Sequence, residues 1–296
     1  MDGFRQLRFE KGLERYMKFT KMHGCGNDYI YVNGFTENIG TEDKPQLVRY
    51  LSDRHFGIGG DGVIFINPST EADFEMEMYN ADGSRSEMCG NGMRCVAKYV
   101  FDKKMTTEKN FTVESFGKIK YITIIEENQK AKLIKVGMGS PELLTEKIPA
   151  IYDSETIIGK PIEVDGKVWE GTCVSMGNPH VVMFVDDVKN MDLEAIGPKF
   201  ENHQMFPNRT NAEFVKIIDD ETVEMRVWER GTGETLACGT GCCATAVACI
   251  LNGKTKNKVL VKVLGGEILV EWDRENNEIY MTGPGEFVFE GEILSI

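Results

Sequence analysis

The segment EMEMYNADGSRSEMCGNG, residues 75–92, returns later in the chain as EMRVWERGTGETLACGTG, residues 224–241. At a shift of 149 positions the two segments align without a gap. The Cys-Gly-x-Gly motif that begins at Cys89 then falls on the one that begins at Cys238. Either cysteine alone would be a weak signal, so the question is what the pair does.

A second pair of segments indicates that the two halves of the chain are related. GNDYIYV, which contains Asn27, aligns with GNPHVVMFV, which contains Asn178, at a shift of 151 positions. The two shifts differ by two residues, which a single change of loop length explains. We therefore infer an internal duplication.

Each half is predicted to pass from a strand through a short loop to a cysteine and then into a helix. The helix after Cys89 has one apolar face, whereas CCATAVACIL after Cys238 is apolar nearly all round and is expected to be buried on all sides. MGSPELL, residues 138–144, is the best candidate for the connection between the halves. Other strands are predicted for YIYVNGF, VIFIN, FEMEMYN, HVVMFVD, VEMRVWER and FVFEGEILSI, and hairpins for FTVESFGKIKYITII and KVLVKVLGGEILVEW.

Composition excludes several classes of function. The 296 residues carry a formal net charge of −13, which argues against nucleic acid or an anionic membrane as a partner. No apolar run approaches the roughly 20 residues that span a bilayer. The eight cysteines show no Cys-x-x-Cys spacing and follow no secretory signal, so we expect reduced thiols in the cytoplasm. The four histidines do not cluster with cysteines, and no metal site is expected.

The two cysteines stand where a helix N-terminus can act on them. Free N–H groups and the helix dipole favour anions there, so a thiol is expected to have a lowered pKa and a carboxylate can bind. If the two helix ends face each other, a carboxylate held between them has one sulfur on each side of its α-carbon. That arrangement predicts inversion of a stereocentre: one thiolate removes the α-proton, and the opposite thiol returns a proton to the other face.

The ordered motifs resemble those of the diaminopimelate epimerase family across about residues 17–296. Asn91 separates the chain from the related proline racemase branch, which carries histidine at that position. The motifs that carry the resemblance are MHGCGNDYIYV, RHFGIGGDG, YNADGSRSEMCGNGMRC, GNPHVV, NAEFV and WERGTGETLACGTG.

The resemblance implies a fold and an activity. The fold is α/β, of the α+β type, with two pseudo-symmetric domains that each wrap a mixed or antiparallel sheet around a central helix. The activity is interconversion of LL- and meso-diaminopimelate without cofactor or metal, on the route to lysine and peptidoglycan, by a cytoplasmic homodimer. The expected divisions are an extension over 1–16, a first domain over 17–134 completed by 284–296, and a second domain over 135–283.

The resemblance also implies roles for individual residues. Cys89 and Cys238 are the two acid/base thiols, and His180 is expected to lie near them and tune them. The helix-end groups that hold the reacting carboxylate are Gly90, Asn91, Gly239 and Thr240. The set that binds the distal amino-acid end of the substrate is Asn27, Asn80, Asn178, Asn211, Glu229 and Arg230.

One departure and three alternatives bear on this interpretation. Many bacterial members carry glutamine, a substrate contact, where this chain has Gly62, so that contact is expected to be absent or replaced. A Cys-His hydrolase or acyltransferase using Cys238 and His180 would leave Cys89 without a role. A thiol redox or metal-binding module lacks the usual cysteine spacing. A racemase for a different amino acid is the nearest alternative within the fold.

Overall fold

Two sets of strands and helices follow each other in the same order along the chain. The computed structural model describes residues 16–86 and 89–294, so the predicted extension lies outside the described residues except for Tyr16. The first set is β1 (Tyr16–Gly24), β2 (Asn27–Asn33), α1 (Lys44–Ser52), β3 (Gly62–Asn67), β4 (Phe74–Asn80), β5 (Arg85–Ser86), α2 (Gly90–Asp102), β6 (Asn110–Ser115), β7 (Lys118–Glu127) and β8 (Lys130–Gly139).

The second set begins after one additional strand, β9 (Lys160–Val164). It comprises β10 (Lys167–Ser175), β11 (Pro179–Phe184), α3 (Leu193–Glu201), β12 (Asn211–Ile217), β13 (Thr222–Glu229), β14 (Gly233–Thr235), α4 (Gly239–Leu251), β15 (Lys258–Val263), β16 (Gly266–Asp273) and β17 (Glu278–Gly283). A last strand, β18 (Glu286–Leu294), closes the described chain.

Strand pairing repeats between the halves, pair for pair. In the first half β1–β2 is antiparallel, β2–β3 parallel, β3–β4 antiparallel and β4–β6 parallel, and β6, β7 and β8 follow antiparallel. The strands β10, β11, β12, β13, β15, β16 and β17 repeat this pattern in the second half. The predicted mixed sheets and pseudo-symmetry are therefore confirmed.

The two halves share strands at their boundary. β17 pairs antiparallel with β8. β18 returns to pair with β1 in the first half, and β9 pairs with β10 at the equivalent place in the second half. β8 runs across the predicted division at 134/135 and includes the first two residues of the MGSPELL segment. The exact domain boundaries stay a prediction, because the sheet is continuous through this region.

The two long helices lie inside the molecule. Every residue of α2 is buried, and in α4 all positions from Gly241 to Cys249 are buried, as the all-round apolar sequence predicts. Both helices belong to one core that extends through the two halves. Helices α1 and α3 were not predicted; they cover the outer faces of the sheets over two smaller cores. Within the described part of the chain, no helix is both long enough and apolar enough to cross a membrane.

A turn of the second half packs closely against a turn of the first half. A β-carbon on Gly265, between β15 and β16, would lie 1.8 Å from the carbonyl oxygen of Cys25, between β1 and β2. The N–H of Gly265 also donates to the carbonyl of Leu236 at 2.8 Å. This contact fixes the chain immediately before Asn27 and thereby one wall of the site.

We expect Gly265→Ala to lower the midpoint of thermal unfolding, because a backbone must move to admit the methyl group. Overpacking of this kind costs about 1–3 kcal/mol. Gly137→Ala in β8 is the matched control, since the nearest atom to its β-carbon would be a movable carboxylate oxygen of Glu278, at 3.3 Å, and the main chain of Tyr121 would lie at an ordinary contact distance of 3.7 Å. Calorimetry of both variants measures the difference, and equal midpoints would contradict this account.

Candidate active site

Each of the two cysteines caps its own helix. Cys89 (φ −128°, ψ 116°) and Cys238 (φ −114°, ψ 112°) have nearly the same backbone conformation. Each sulfur accepts a hydrogen bond at 3.3 Å from the N–H three residues on, that of Gly92 or of Gly241. The N–H groups of the first two residues of each helix have no intrahelical acceptor and remain available to an anion.

The two helix starts meet at one place between the halves. A β-carbon on Gly239 would lie 3.5 Å from the Cα of Gly90 and 3.3 Å from Sδ of Met281. The amide of Asn91 donates across the boundary to the carbonyl of Ala237 at 3.0 Å. The free N–H groups of both helices are thereby brought together, as the symmetry argument expects.

Burial and the helix N-termini shift the pKa values of the two thiols in opposite directions. Desolvation raises the pKa of Cys89, while backbone N–H groups of α2 lower it by less. Burial raises the pKa of Cys238 well above its usual range, and the carboxylates of Glu229 and Glu213 add to that effect. The lowered thiol pKa expected from the sequence is therefore wrong, because loss of water outweighs the helix N-terminus at both sulfurs.

Asn27 links Cys89 to a charged group that the sequence analysis did not single out. The sulfur of Cys89 lies 3.2 Å from Oδ1 of Asn27, which accepts the S–H. The amide nitrogen of Asn27 donates to Asp61 at 2.7 Å, and Arg54 donates to the other oxygen of Asp61 at 2.9 Å. Asp61 therefore determines which end of the Asn27 amide faces the sulfur. It stands in GIGGDG, where the glycines indicate only a tight turn.

The matching residue of the second half, Asn178, is also oriented through an acidic residue. Its Oδ1 lies 3.1 Å from Nε2 of His180, whose Nδ1 lies 2.7 Å from Oε1 of Glu213. His180 and Glu213 are fully buried, and Oε2 of Glu213 has no hydrogen-bond partner within the described residues. A β-carbon on Gly241 would lie 2.8 Å from Oε1 of Glu213, which places the carboxylate at the start of α4.

Glu229 and Thr240 lie beside the second sulfur. Burial raises the pKa of Glu229, while hydrogen bonds with Thr235 and with the thiol of Cys238 lower it by less. The hydroxyl of Thr240 lies 3.5 Å from the sulfur of Cys238. An acid and a hydroxyl therefore contact the sulfur that is more deeply buried.

The remaining members of the predicted distal set are held by their own neighbours. Asn211 is buried, donates to the carbonyl of Pro179 at 2.8 Å and accepts the N–H of Arg230 at 2.9 Å. The guanidinium of Arg230 is exposed. Asn80 ends β4 at the position that Glu229 holds in β13, and its amide donates to the hydroxyl of Ser84 at 3.1 Å.

Gly62 lies beside Asn80, with which it pairs between β3 and β4. A β-carbon here would lie 2.0 Å from the carbonyl oxygen of Tyr79 and 3.0 Å from the ring of Tyr29. This backbone therefore does not accommodate the glutamine of many bacterial members. The close packing of β3 against β4 therefore explains why this chain has glycine at position 62.

The other six cysteines are buried core residues. All eight cysteines are free thiols. In the part of the chain that the structure describes, no three histidine, cysteine, aspartate or glutamate side chains are grouped as a metal ion would require. The six are Cys25, Cys95, Cys173, Cys242, Cys243 and Cys249.

Comparison with known proteins identifies the family. The model of the family described as diaminopimelate epimerase matches residues 19–144 and 172–288. The chain belongs to the diaminopimelate epimerase family. Proteins named diaminopimelate epimerase from Acetivibrio thermocellus and Agathobacter rectalis are each 55% identical to it, over 277 and 284 residues. Both alignments cover 94% of this chain and 98% or 99% of the relative. The resemblance drawn from the sequence is confirmed.

Solved structures with low sequence identity share the fold. A phenazine biosynthesis protein of the PhzF family from Bacillus anthracis has a TM-score of 0.69 at 17% identity and covers 95% of this chain and 100% of its own. A hydroxyproline epimerase from Agrobacterium vitis has a TM-score of 0.66 at 12% identity, with coverages of 95% and 91%. At these identities the likeness concerns the fold alone, and it confirms the predicted architecture.

We expect both site thiols to react with iodoacetamide only at a pH above that needed by free cysteine, because burial keeps them protonated. Cys238 should require a higher pH than Cys89, since two carboxylates lie near it. Mass spectrometry of the two labelled peptides across a pH series, with free cysteine in the same vessel, measures this. If a site thiol reached half-maximal labelling at a lower pH than free cysteine, the helix N-terminus and not burial would determine its pKa.

Proposed function

We propose that this chain interconverts LL- and meso-2,6-diaminopimelate without cofactor or metal: one of Cys89 and Cys238 removes the α-proton, and the other donates its own proton to the opposite face. Family membership supports the substrate and the reaction. The observation that carries the mechanism is the meeting of two helix starts, each capped by a thiol. A single reaction then uses both copies of the duplicated motif.

The reaction balances without any oxidant or additional reactant. One thiolate takes the α-proton and becomes a thiol, and the electron pair of the broken C–H bond passes into the carboxylate. The N–H groups of Gly90, Asn91, Gly239 and Thr240 stabilise that charge, since they have no acceptor within their helices. The opposite thiol gives its proton to the other face of the carbon and becomes a thiolate, so the centre is inverted.

Cys89 is the thiol that ionises more readily in this scheme. Carboxylates of Glu229 and Glu213 raise the pKa of Cys238 beyond the effect of burial. Glu229 also raises the pKa of Cys89, but Arg94 and the N–H groups of α2 act in the opposite direction. In one direction Cys89 therefore begins as the base and Cys238 as the acid, and in the reverse direction the two roles are exchanged.

The distal set recognises a second amino-acid group on the substrate. The exposed guanidinium of Arg230 can pair with the distal carboxylate, and Glu229 can pair with an ammonium group. Asn27 and Asn178, each oriented by its own neighbours, present fixed amide ends to the substrate. The guanidinium of Arg230 donates only to the carbonyl of Asn208 among the described residues, so a substrate without a second amino-acid end would leave it without a charged partner.

The assembly and location follow from the same proposal. We propose that the enzyme works as a homodimer in the cytoplasm, where its thiols stay reduced. β18 pairs with β1 on one edge and exposes Val288, Phe289 and Leu294, an apolar edge that a second subunit would cover.

In deuterated water without pyridoxal phosphate or metal, we expect deuterium to enter the reacting α-position of diaminopimelate during epimerisation. Cys89→Ala and Cys238→Ala should each lower the rate of inversion by at least about 10²-fold, since each removes one of two proton carriers. Proton NMR with chiral chromatography measures exchange and inversion separately.

Cys249→Ala is the matched control, because Cys249 is a buried cysteine of the same helix α4 that lies away from its start. It should retain activity. Full inversion by either site variant would refute the two-thiol mechanism, whereas no exchange by the unmodified enzyme with either isomer would refute the activity.

Sedimentation velocity tests the proposed assembly. We expect a dimer whose stability falls when Phe289 is replaced by lysine, because the apolar edge would then carry a charge. A monomer at micromolar concentration, active at its full rate, would contradict this part of the proposal.

A further inference from the structure

Arg94 is a fully buried cation that the sequence analysis gave no role. It is the largest side chain in the fully buried set, and it lies on α2 one turn beyond the start of the helix. Gly24 and Gly283 approach the guanidinium so closely that a β-carbon on either would lie 3.1–3.2 Å from one of its nitrogens. The side chain is therefore closely surrounded by main chain.

All five N–H donors of Arg94 meet neutral acceptors. Nε donates to the carbonyl of Pro284 at 2.9 Å, and one terminal nitrogen faces the carbonyl of Gly90 at 3.4 Å and Sδ of Met281 at 3.5 Å. The other terminal nitrogen donates to Oδ1 of Asn91 at 3.0 Å and faces the sulfur of Cys25 at 3.6 Å. The hydrogen bonds of the guanidinium are thus complete, but its charge is not neutralised by them.

Arg94 forms no ion pair with any carboxylate in residues 16–86 and 89–294. The other buried cations differ, since Lys44 pairs with Glu77 and Lys98 pairs with Asp102. Arginine is almost never fully buried without an acidic partner, because an isolated buried charge is strongly unfavourable. The carboxylates of the described residues therefore leave a buried positive charge that some other group should balance.

The position of Arg94 indicates which group that is. Gly90 and Asn91, which it contacts, are the first two residues of α2, whose N–H groups have no acceptor within the helix. Asn91 in turn donates to Ala237, the residue before Cys238. The guanidinium is therefore connected to both helix starts, directly on one side and through one amide on the other.

We propose that Arg94 is a positioning residue with two roles. Its buried charge is balanced by the reacting carboxylate of the substrate, and the several N–H donors of its planar guanidinium (the guanidinium fork) hold the two helix starts in register. This proposal rests on the proposed function for the identity of the carboxylate. The charge that develops on the carboxylate during proton transfer is then stabilised by a fixed cation behind the N–H groups. Arg94 does not touch the substrate, and it acts through Gly90 and Asn91.

The same charge acts on the neighbouring thiol. Arg94 lowers the pKa of Cys89, against the effects of burial and of Glu229. Tyr29 and Tyr31 on β2 and Cys95 on α2 also face Cys89 and belong to the same electrostatic environment.

Arg94→Met keeps much of the volume and removes the charge, whereas Arg94→Lys keeps the charge and removes the fork. We expect Arg94→Met to lower kcat by roughly 10²-fold, the usual effect of removing one preorganised stabiliser of developing charge. Labelling of Cys89 by iodoacetamide should move to higher pH in that variant. Arg94→Lys should leave the labelling pH close to that of the unmodified enzyme while recovering only part of kcat.

Lys120→Met is the matched control, since Lys120 is a partly buried cation whose ammonium also donates to a main-chain carbonyl, that of Met138 at 2.8 Å. Unlike Arg94, it donates no hydrogen bond to either helix start among the described residues, and its replacement should change neither kcat nor the labelling pH of Cys89. A folded Arg94→Met enzyme with unchanged kcat and labelling pH would overturn the proposal.

If Arg94→Met does not fold, Arg94→Lys still decides the question. The proposal is then overturned by an Arg94→Lys enzyme with the kcat of the unmodified protein, or with a labelling pH that moves upward. The labelling experiment needs no substrate, so its result stands independently of the deuterium-exchange test of the proposed function.

Discussion

The close approach of two helix starts, at Gly90 and Gly239, is the constraint on which the rest of the molecule depends. A β-carbon on Gly239 would lie 3.5 Å from the Cα of Gly90, so the two helix starts leave little space between them. The cysteines stand one residue before these glycines, so a displacement of either helix would also change the separation of the two thiols. Neither half alone supplies both sets of free N–H groups. The sheet joint between β8 and β17 and the return of β18 to β1 are what hold the halves in this relation.

Duplication made the fold symmetric, but the charges around the two thiols are not symmetric. Asn27 is oriented directly by Asp61, whereas Asn178 is oriented through His180 by Glu213. A buried cation lies behind the first helix start, and two carboxylates lie beside the second sulfur. This difference favours the state in which Cys89 is the thiolate and Cys238 the thiol, whereas the reverse reaction starts from the opposite state. Two identical environments would leave the starting protonation state unspecified.

Structural features that depend on a local sequence pattern could be predicted, whereas features that depend on contacts between distant parts of the chain could not. The duplicated Cys-Gly-x-Gly frames indicate two capped helices, and the all-round apolar sequence of α4 indicates burial. Helix α3 was missed because Pro198 lies within its nine residues and the segment resembles a loop. Helix α1 is equally short and has a proline at its start.

The electrostatics of the site were the least predictable part. Glu213 lies 33 residues from His180 in the chain, and Asp61 lies 34 residues from Asn27, so no local spacing marks either pair. The direction of the thiol pKa shifts was also mispredicted. A helix start can be recognised in one segment, but burial of the sulfur is produced by the whole fold.

Burial of the thiols is compatible with the proposed reaction because it makes each thiolate a stronger base. The α-proton of an amino acid is a very weak acid, so a base of higher pKa transfers it with a lower barrier. The same shift reduces the fraction of enzyme that holds a thiolate near neutral pH, and the optimum lies where the two effects balance. The N–H groups of α2 and the charge of Arg94 limit the rise at Cys89. Catalysis by two cysteines therefore requires both features at once: a site dry enough to make the thiolate basic, and fixed positive groups close enough to let it form.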